Sequence, residues 1–175
     1  ELNLLDGVTS LASSVNGLSD GLVESNSLYI GNDPSGTTNT AEYNLAVGTT
    51  ALDAVTDGDK NVGVGYNALT SLNTGSWNTA VGAFAASSIT DGADNIAFGQ
   101  HAGCNVTDRC YTINIGYYAG KCAYGNDNIY MGYEAGTESA INRNNNILIG
   151  QRAGYKNKSN DNIFIGAFAG QLNTN

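Results

Sequence analysis

The sequence predicts an all-β fold, a parallel β-solenoid or β-roll of about nine coils of 16–18 residues, and three observations carry the prediction. The first is a unit, Asn-x-x-apolar-Gly-x-x-Ala, seen whole in Asn95-Ile96-Ala97-Phe98-Gly99-Gln100-His101-Ala102. Its glycine recurs as Gly31, Gly48, Gly65, Gly82, Gly99, Gly116, Gly132, Gly150 and Gly166, at spacings of 17, 17, 17, 17, 17, 16, 18 and 16. A fixed short period marks a stacked repeat. The second is alternation before each glycine, where β-branched and other apolar residues stand one and three positions upstream. The third is a set of turn sequences between units, among them Asp57-Gly58-Asp59-Lys60, Asn73-Thr74-Gly75-Ser76, Asp91-Gly92-Ala93-Asp94, Gly125-Asn126-Asp127 and Ser159-Asn160-Asp161, residue types that accept left-handed backbone.

The chain begins differently. Leu4, Val8, Leu11, Val15, Leu18 and Leu22 are spaced 4, 3, 4, 3, 4, which places Val8, Val15 and Leu22 at a and Leu4, Leu11 and Leu18 at d of a heptad. Residues 1–25 are therefore expected to form a short coiled-coil-like stalk and trimerisation segment. Gly7, Gly17 and Gly21 each weaken a helix by about 1 kcal/mol, and an extended intertwined stalk would use the same apolar positions. Either version needs partner chains. Glu1 is not Met and no leader is visible, so the chain reads as a piece of something longer.

Residues 26–175 are expected to form the repetitive head. One position before each glycine stand Ile30, Val47, Val64, Val81, Phe98, Ile115, Met131, Ile149 and Ile165. Three before stand Leu28, Leu45, Val62, Thr79, Ile96, Ile113, Ile129, Ile147 and Ile163. This pattern predicts a strand whose β-branched face is buried. The residue between them changes from Ala46, Gly63, Ala80 and Ala97 to Asn114, Tyr130, Leu148 and Phe164. It is expected to be a second buried face against neighbouring subunits, so that the assembly widens toward its C-terminal end. Seven after the glycine, Val55, Leu72, Ile89 and Val106 predict a shorter second strand that decays through Ala123 to Ser139 and Asn157.

One coil cannot stand alone. It buries three or four apolar side chains at about 1.5–3 kcal/mol each, against about 1–2 kcal/mol of backbone entropy for every residue it orders. Stacking at about 4.8 Å per coil supplies the missing contacts and makes a rod roughly 40 Å long. In that stack Asn44, Asn61, Asn78, Asn95, Asn128, Asn146 and Asn162, with Thr112 as the exception, lie above one another. Stacked amides hydrogen-bond along such a column, so their role is structural.

A net charge of −9 with seven Lys plus Arg argues against nucleic acid or an anionic membrane as partner. No run of about 18 apolar residues is present to span a bilayer. Units such as Asn78-Thr79-Ala80-Val81-Gly82-Ala83-Phe84-Ala85 resemble the repeats in the heads of trimeric autotransporter adhesins. The opening Glu1-Leu2-Asn3-Leu4-Leu5-Asp6-Gly7-Val8-Thr9 is similar to a segment of phage and marine-virus tail fibres that carry such repeats. The resemblance implies a homotrimer of left-handed parallel β-rolls; the periods here are longer than in those heads, and neither the membrane-anchor barrel nor the self-cleaving chaperone domain is seen.

Candidate chemistry is sparse. His101 is the only histidine and sits where other copies have Thr50, Asn67, Phe84, Tyr118, Glu134, Arg152 and Phe168, which reads as a tolerant position rather than a catalytic one. Asp57, Asp59, Asp91, Asp94, Asp127 and Asp161 recur in turns and could hold Ca²⁺, although their spacing matches no calcium loop and solvated turn acids are the commoner case. The glycines lack phosphate-loop spacing. Cys104 with Cys122, on adjacent coils, is a candidate disulfide, and Cys104 with Cys110 its rival, both presupposing an oxidising exterior. Asn105-Val106-Thr107 and Asn157-Lys158-Ser159 satisfy the glycosylation sequon. Tyr66, Tyr117 and Tyr133, with Phe84, Tyr118 and Phe168 one position later, form a column suited to sugar or protein contact or to packing between subunits. The expectation is a non-enzymatic, homotrimeric fibre or adhesin segment, extracellular or on a virion surface, without cofactor, that attaches to a cell-surface glycan or protein. The alternative is a self-assembling extracellular filament subunit. A polysaccharide-degrading enzyme would need paired carboxylates in a groove, and the late coils hold few acids.

Overall fold

The computed structural model describes residues 21–31, 34, 36–105, 107–138 and 144–173. It is an all-β parallel solenoid with no helix among those residues. Ten strands form one sheet in chain order: β1 (Gly21–Glu24), β2 (Ser27–Ile30), β3 (Leu45–Val47), β4 (Val62–Val64), β5 (Thr79–Val81), β6 (Ile96–Phe98), β7 (Ile113–Ile115), β8 (Ile129–Met131), β9 (Ile147–Ile149) and β10 (Ile163–Ile165). From β2 to β10 every pairing is parallel and in register, so eight windings of about 17 residues separate nine rungs. The marker glycines stack directly. A Cβ on Gly65 would lie 2.8 Å from the carbonyl of Gly82, and one on Gly82 2.7 Å from that of Gly99, at φ of 127° and 132°. Only glycine fits that column.

The stalk expectation falls mostly on residues 1–20, outside the described residues. Its last heptad position does not: Leu22 lies in β1, which folds back on β2 as an antiparallel hairpin, and packs against the head's own core. Strand structure therefore begins before residue 26.

The two faces of the sheet are inverted relative to the sequence expectation. The intervening residues Ala46, Ala80, Ala97, Asn114, Tyr130 and Leu148 are at most 1% exposed and fill the coil's own interior. The β-branched columns point outward and are half-buried or exposed, Ile96 and Phe98 among them. The cause is the coil's narrow cross-section, which leaves room for one strand side chain per rung. Growing that side chain from Ala46 to Phe164 fills the interior and supplies no reason for an assembly to widen.

The expected second strand is absent among the described residues. Val55, Leu72 and Ile89 are buried as expected, but on consecutive turns. The first is a reverse turn from each marker glycine to the alanine three later, closed by bonds such as Ala68 N to Gly65 O at 3.2 Å. Its third residue is left-handed throughout: Thr50, Asn67, Phe84, His101, Tyr118, Glu134, Arg152 and Phe168 have φ of 52–59°, the geometry of a type II turn. Turn stacks on turn through backbone bonds such as Thr56 N to Asn73 O and Asn73 N to Thr90 O.

Candidate functional site

Every position of the coil repeats as a column along the rod, so a site on this protein is a column or a break in one. The asparagine column is an internal clamp. Asn44, Asn61, Asn78, Asn95, Asn128 and Asn146 are at most 2% exposed. Each Oδ1 accepts a backbone N–H from the next rung, as from Asn61 to Asn44 at 2.8 Å and from Asn78 to Asn61 at 2.9 Å. Each Nδ2 of the early copies donates to a turn carbonyl 14 residues on, at Gly58, Gly75, Gly92 and Arg109. Thr112 donates its N–H and its hydroxyl to Asn95 Oδ1, which completes that residue's acceptor role, but it has no amide for the second function. The turn it would tie, at 124–126, borders a cleft of about 290 Å³ lined by Thr107, Asp108, Arg109, Tyr124, Gly125, Asn126 and Asn144.

A second clamp was not legible in the sequence. Six residues before the marker glycine, Asp59, Ser76, Cys110, Asn126, Asn144 and Asn160 each accept a backbone N–H from the preceding rung, at 2.8–3.3 Å. The turn acids join neighbouring coils in the same way. Asp57 accepts from Asn39 and Thr40, Asp91 from Thr74, and Asp161 from Asn145. The Thr40 hydroxyl, then the Asn39 amide, holds the Asp57 carboxyl below its usual range. Among the described residues no three His, Cys, Asp or Glu side chains are grouped to hold a metal.

Arg109 marks a break in the core. One hydrophobic cluster runs from Tyr29 to Ala102 and a second from Ala119 to Ala153. Between them the Arg109 side chain, 2% exposed, donates to Gly103 O at 2.8 Å and Gly120 O at 3.4 Å. Its Nε and the buried Tyr130 hydroxyl have no hydrogen-bond partner among the described residues. Desolvation lowers the guanidinium to about 10, and burial raises the Tyr130 hydroxyl.

The three thiols are free. The Asn105 amide lies between Cys104 Sγ, 3.4 Å from its oxygen, and Cys122 Sγ, 3.5 Å from its nitrogen. Cys110 belongs to the second clamp, in a different column. Of the two sequons, Asn105 is exposed. Asn157 is fully buried and its amide donates to Asn146 and Ser159, so the folded coil leaves it no free amide for a glycan.

The aromatic column is real, and from Tyr66 to Tyr133 its rings meet one another. Phe84 and His101 stack at 4.9 Å and 9°, His101 and Tyr118 at 4.9 Å and 19°, and Tyr117 and Tyr133 at 5.5 Å and 12°. Tyr66 meets Phe84 edge-on at 5.2 Å, and Lys121 lies over Tyr118 at 4.2 Å. Desolvation, then Lys121, holds the His101 imidazole below its ordinary value. Above this stretch the column continues as an ion pair, Glu134 to Arg152 at 2.6 Å. Sugar stacking needs an open ring face; from Phe84 to Tyr118 the faces are covered by their neighbours, whereas Tyr66, Tyr133 and Phe168 stay 44–51% exposed.

The outer face of the sheet is a further uncovered surface. Eighteen outward side chains in two columns, from Leu28 and Ile30 to Ile163 and Ile165 and all apolar except Thr79, make a strip along all nine rungs. At about 4.8 Å per rung the strip is about 38 Å long. No helix of the described residues is long and apolar enough to cross a membrane. Comparison with family models, curated proteins and solved structures finds no match for this chain.

Proposed function

We propose that the chain is a non-enzymatic structural and attachment module, an extracellular fibre or adhesin segment whose copies bundle as homotrimers into a rigid rod for attachment to a host or surface. The observation that supports this reading is the outward strip of β-branched residues. A continuous apolar surface of that length is unusual on a monomer and marks an interface. The rung-to-rung clamps supply stiffness, and the cleft beside Arg109 and Tyr124 brings together no paired carboxylates. A virion tail fibre or a cell-surface adhesin would use such a rod in the same way.

Sedimentation equilibrium tests the reading. The expected mass is three times 18.1 kDa. Val64→Lys and Ile113→Lys, each placing a charge in an outward column, should dissociate the assembly. A monodisperse monomer of the unaltered chain would refute the trimer, and open-ended polymers would favour the filament alternative.

A further inference from the structure

A third left-handed column lies five residues before each marker glycine, and its occupants are not those the backbone favours. Tyr43, Lys60, Trp77, Asp94, Tyr111, Asp127, Asn145 and Asp161 have φ of 57–60°. Asn and Asp take this conformation most readily, whereas a bulky residue there is an outlier held at a cost. The last three rungs use the tolerant types. The earlier rungs place large aromatics at alternate positions, Tyr43, Trp77 and Tyr111, which are 54%, 55% and 61% exposed. The fold gives no reason for that choice, because Asn145 shows that an amide serves the same turn.

The column is rigid. Backbone bonds tie Lys60 N to Glu42 O at 2.9 Å, Trp77 N to Asp59 O at 3.0 Å, and Tyr111 N to Ala93 O at 3.2 Å. Unlike the stacked column at His101, successive rings here are two rungs apart, about 10 Å, so they do not cover one another. Lys60 Nζ lies over one face of the Trp77 ring, 5.1 Å from its centroid, while the residue as a whole stays 55% exposed, and Asp94 stands between Trp77 and Tyr111. The result is a straight row of aromatic, cation, aromatic, acid, aromatic.

We infer that this row binds a neutral, extended, β-(1→4)-linked polysaccharide, with Tyr43, Trp77 and Tyr111 under every second sugar. The inference rests on the attachment reading above and names its ligand class. A linear array at fixed spacing gains most from a ligand with a matching repeat, and in an extended β-(1→4)-linked chain successive sugars are turned over, so that every second one presents the same face. The apolar face of a pyranose packs on an aromatic ring, while Lys60 and Asp94 are placed for its hydroxyls. The net charge of −9 disfavours an acidic glycan.

Trp77 is the only tryptophan, so its emission reports the site directly. The test titrates the full chain with cellohexaose and chitohexaose, then with the corresponding disaccharides. The expected result is a saturable emission change with at least one hexaose, bound at least tenfold more tightly than its disaccharide. Tyr43→Asn and Tyr111→Asn should each weaken hexaose binding at least fivefold in calorimetry, leave disaccharide binding within twofold, and keep the melting temperature, since Asn suits the turn. Emission unmoved by both hexaoses, a Tyr43→Asn, Trp77→Asn, Tyr111→Asn triple variant that binds as well as the original, or Trp77 shielded from acrylamide in the native assembly would each overturn the inference. A trimer that ignores both hexaoses defeats this inference alone, and a monomer that binds them defeats the trimer alone.

Discussion

The coils around β3 and β4 and those around β8 to β10 fill the same narrow interior from opposite sides. In the early coils the strand contributes Ala46 or Gly63, and the residue four after the marker glycine contributes Leu52 or Leu69, all buried. In the late coils the strand contributes Tyr130, Leu148 or Phe164 and the turn contributes Gly136, Gly154 or Gly170. A Cβ on Gly136 would lie 2.6 Å from Tyr130 Cε1, one on Gly154 2.5 Å from Leu148 Cδ1, and one on Gly170 2.6 Å from Phe164 Cζ. The changeover passes through Ala80 with Ala86 and then Ala97 with Gly103, where neither side fills the space and the Arg109 guanidinium enters. One backbone thus accepts two complementary packings, and the join between them carries a buried cation.

The strongest way to break this comparison is to give a late coil the early coil's leucine. Gly136→Leu keeps a left-handed turn that Leu52 tolerates at φ 54° but drives a side chain into the Tyr130 ring. The expected loss is about 3 kcal/mol or more in urea unfolding. Adding Tyr130→Ala should recover at least half of it, because the pair then matches Ala46 with Leu52; no recovery would mean the two packings are not interchangeable. Next in size, Asn78→Ala removes the acceptor for Asn95 N and the donor to Gly92 O, both buried. It should cost about 2–4 kcal/mol. Thr112→Asn should instead raise stability, by about 0.5–1.5 kcal/mol, by supplying the amide missing opposite the 124–126 turn.

At the join, Arg109→Met exchanges an uncompensated buried cation for an apolar chain of similar length and should stabilise by about 1–3 kcal/mol. A loss of stability would show that the guanidinium's bonds to Gly103 and Gly120 outweigh its desolvation. The smallest effect belongs to the late coils' surface. The Tyr155 hydroxyl donates to Glu138 at 2.6 Å, which raises it to about 12. The folded value lies above the unfolded value of about 10, so on the alkaline side this bond's stabilisation is complete below pH 10 and is lost as pH rises through 12; on the acid side it is lost when the Glu138 carboxylate, which the same bond holds below its usual range, is protonated. Glu138→Gln should move the ultraviolet titration of Tyr155, identified by difference from Tyr155→Phe, back toward 10.

The axial organisation was legible in the sequence because it is written in single residues at one period. Gly48 to Gly166 and Asn44 to Asn162 stand in the columns their spacing implied. The direction of the side chains was not legible, because β-branched residues at alternate positions ordinarily face a core. The reciprocal sizes of Ala46 with Leu52 and of Leu148 with Gly154 carried that information across two positions of the coil, where alternation within a strand does not look. The left-handed turns were hidden for another reason. Phe84, Trp77 and Tyr111 are not residues that announce positive φ, and cross-rung stacking on His101 accompanies the first. Tyr43, Trp77 and Tyr111 had one available signal, a recurrence at twice the period. The sequon at Asn157 was misleading because a buried clamp and a glycan acceptor can share the same three letters.

The hydrogen-bonding partners in the clamps lie 14–18 residues apart, one winding of the chain. Parallel sheets usually close slowly because distant segments must find one another. Here each winding needs only its predecessor as template, so the chain can wrap up progressively once a first pair of windings has formed, and a freshly made N-terminal portion can be in its final shape before the remainder has been synthesised.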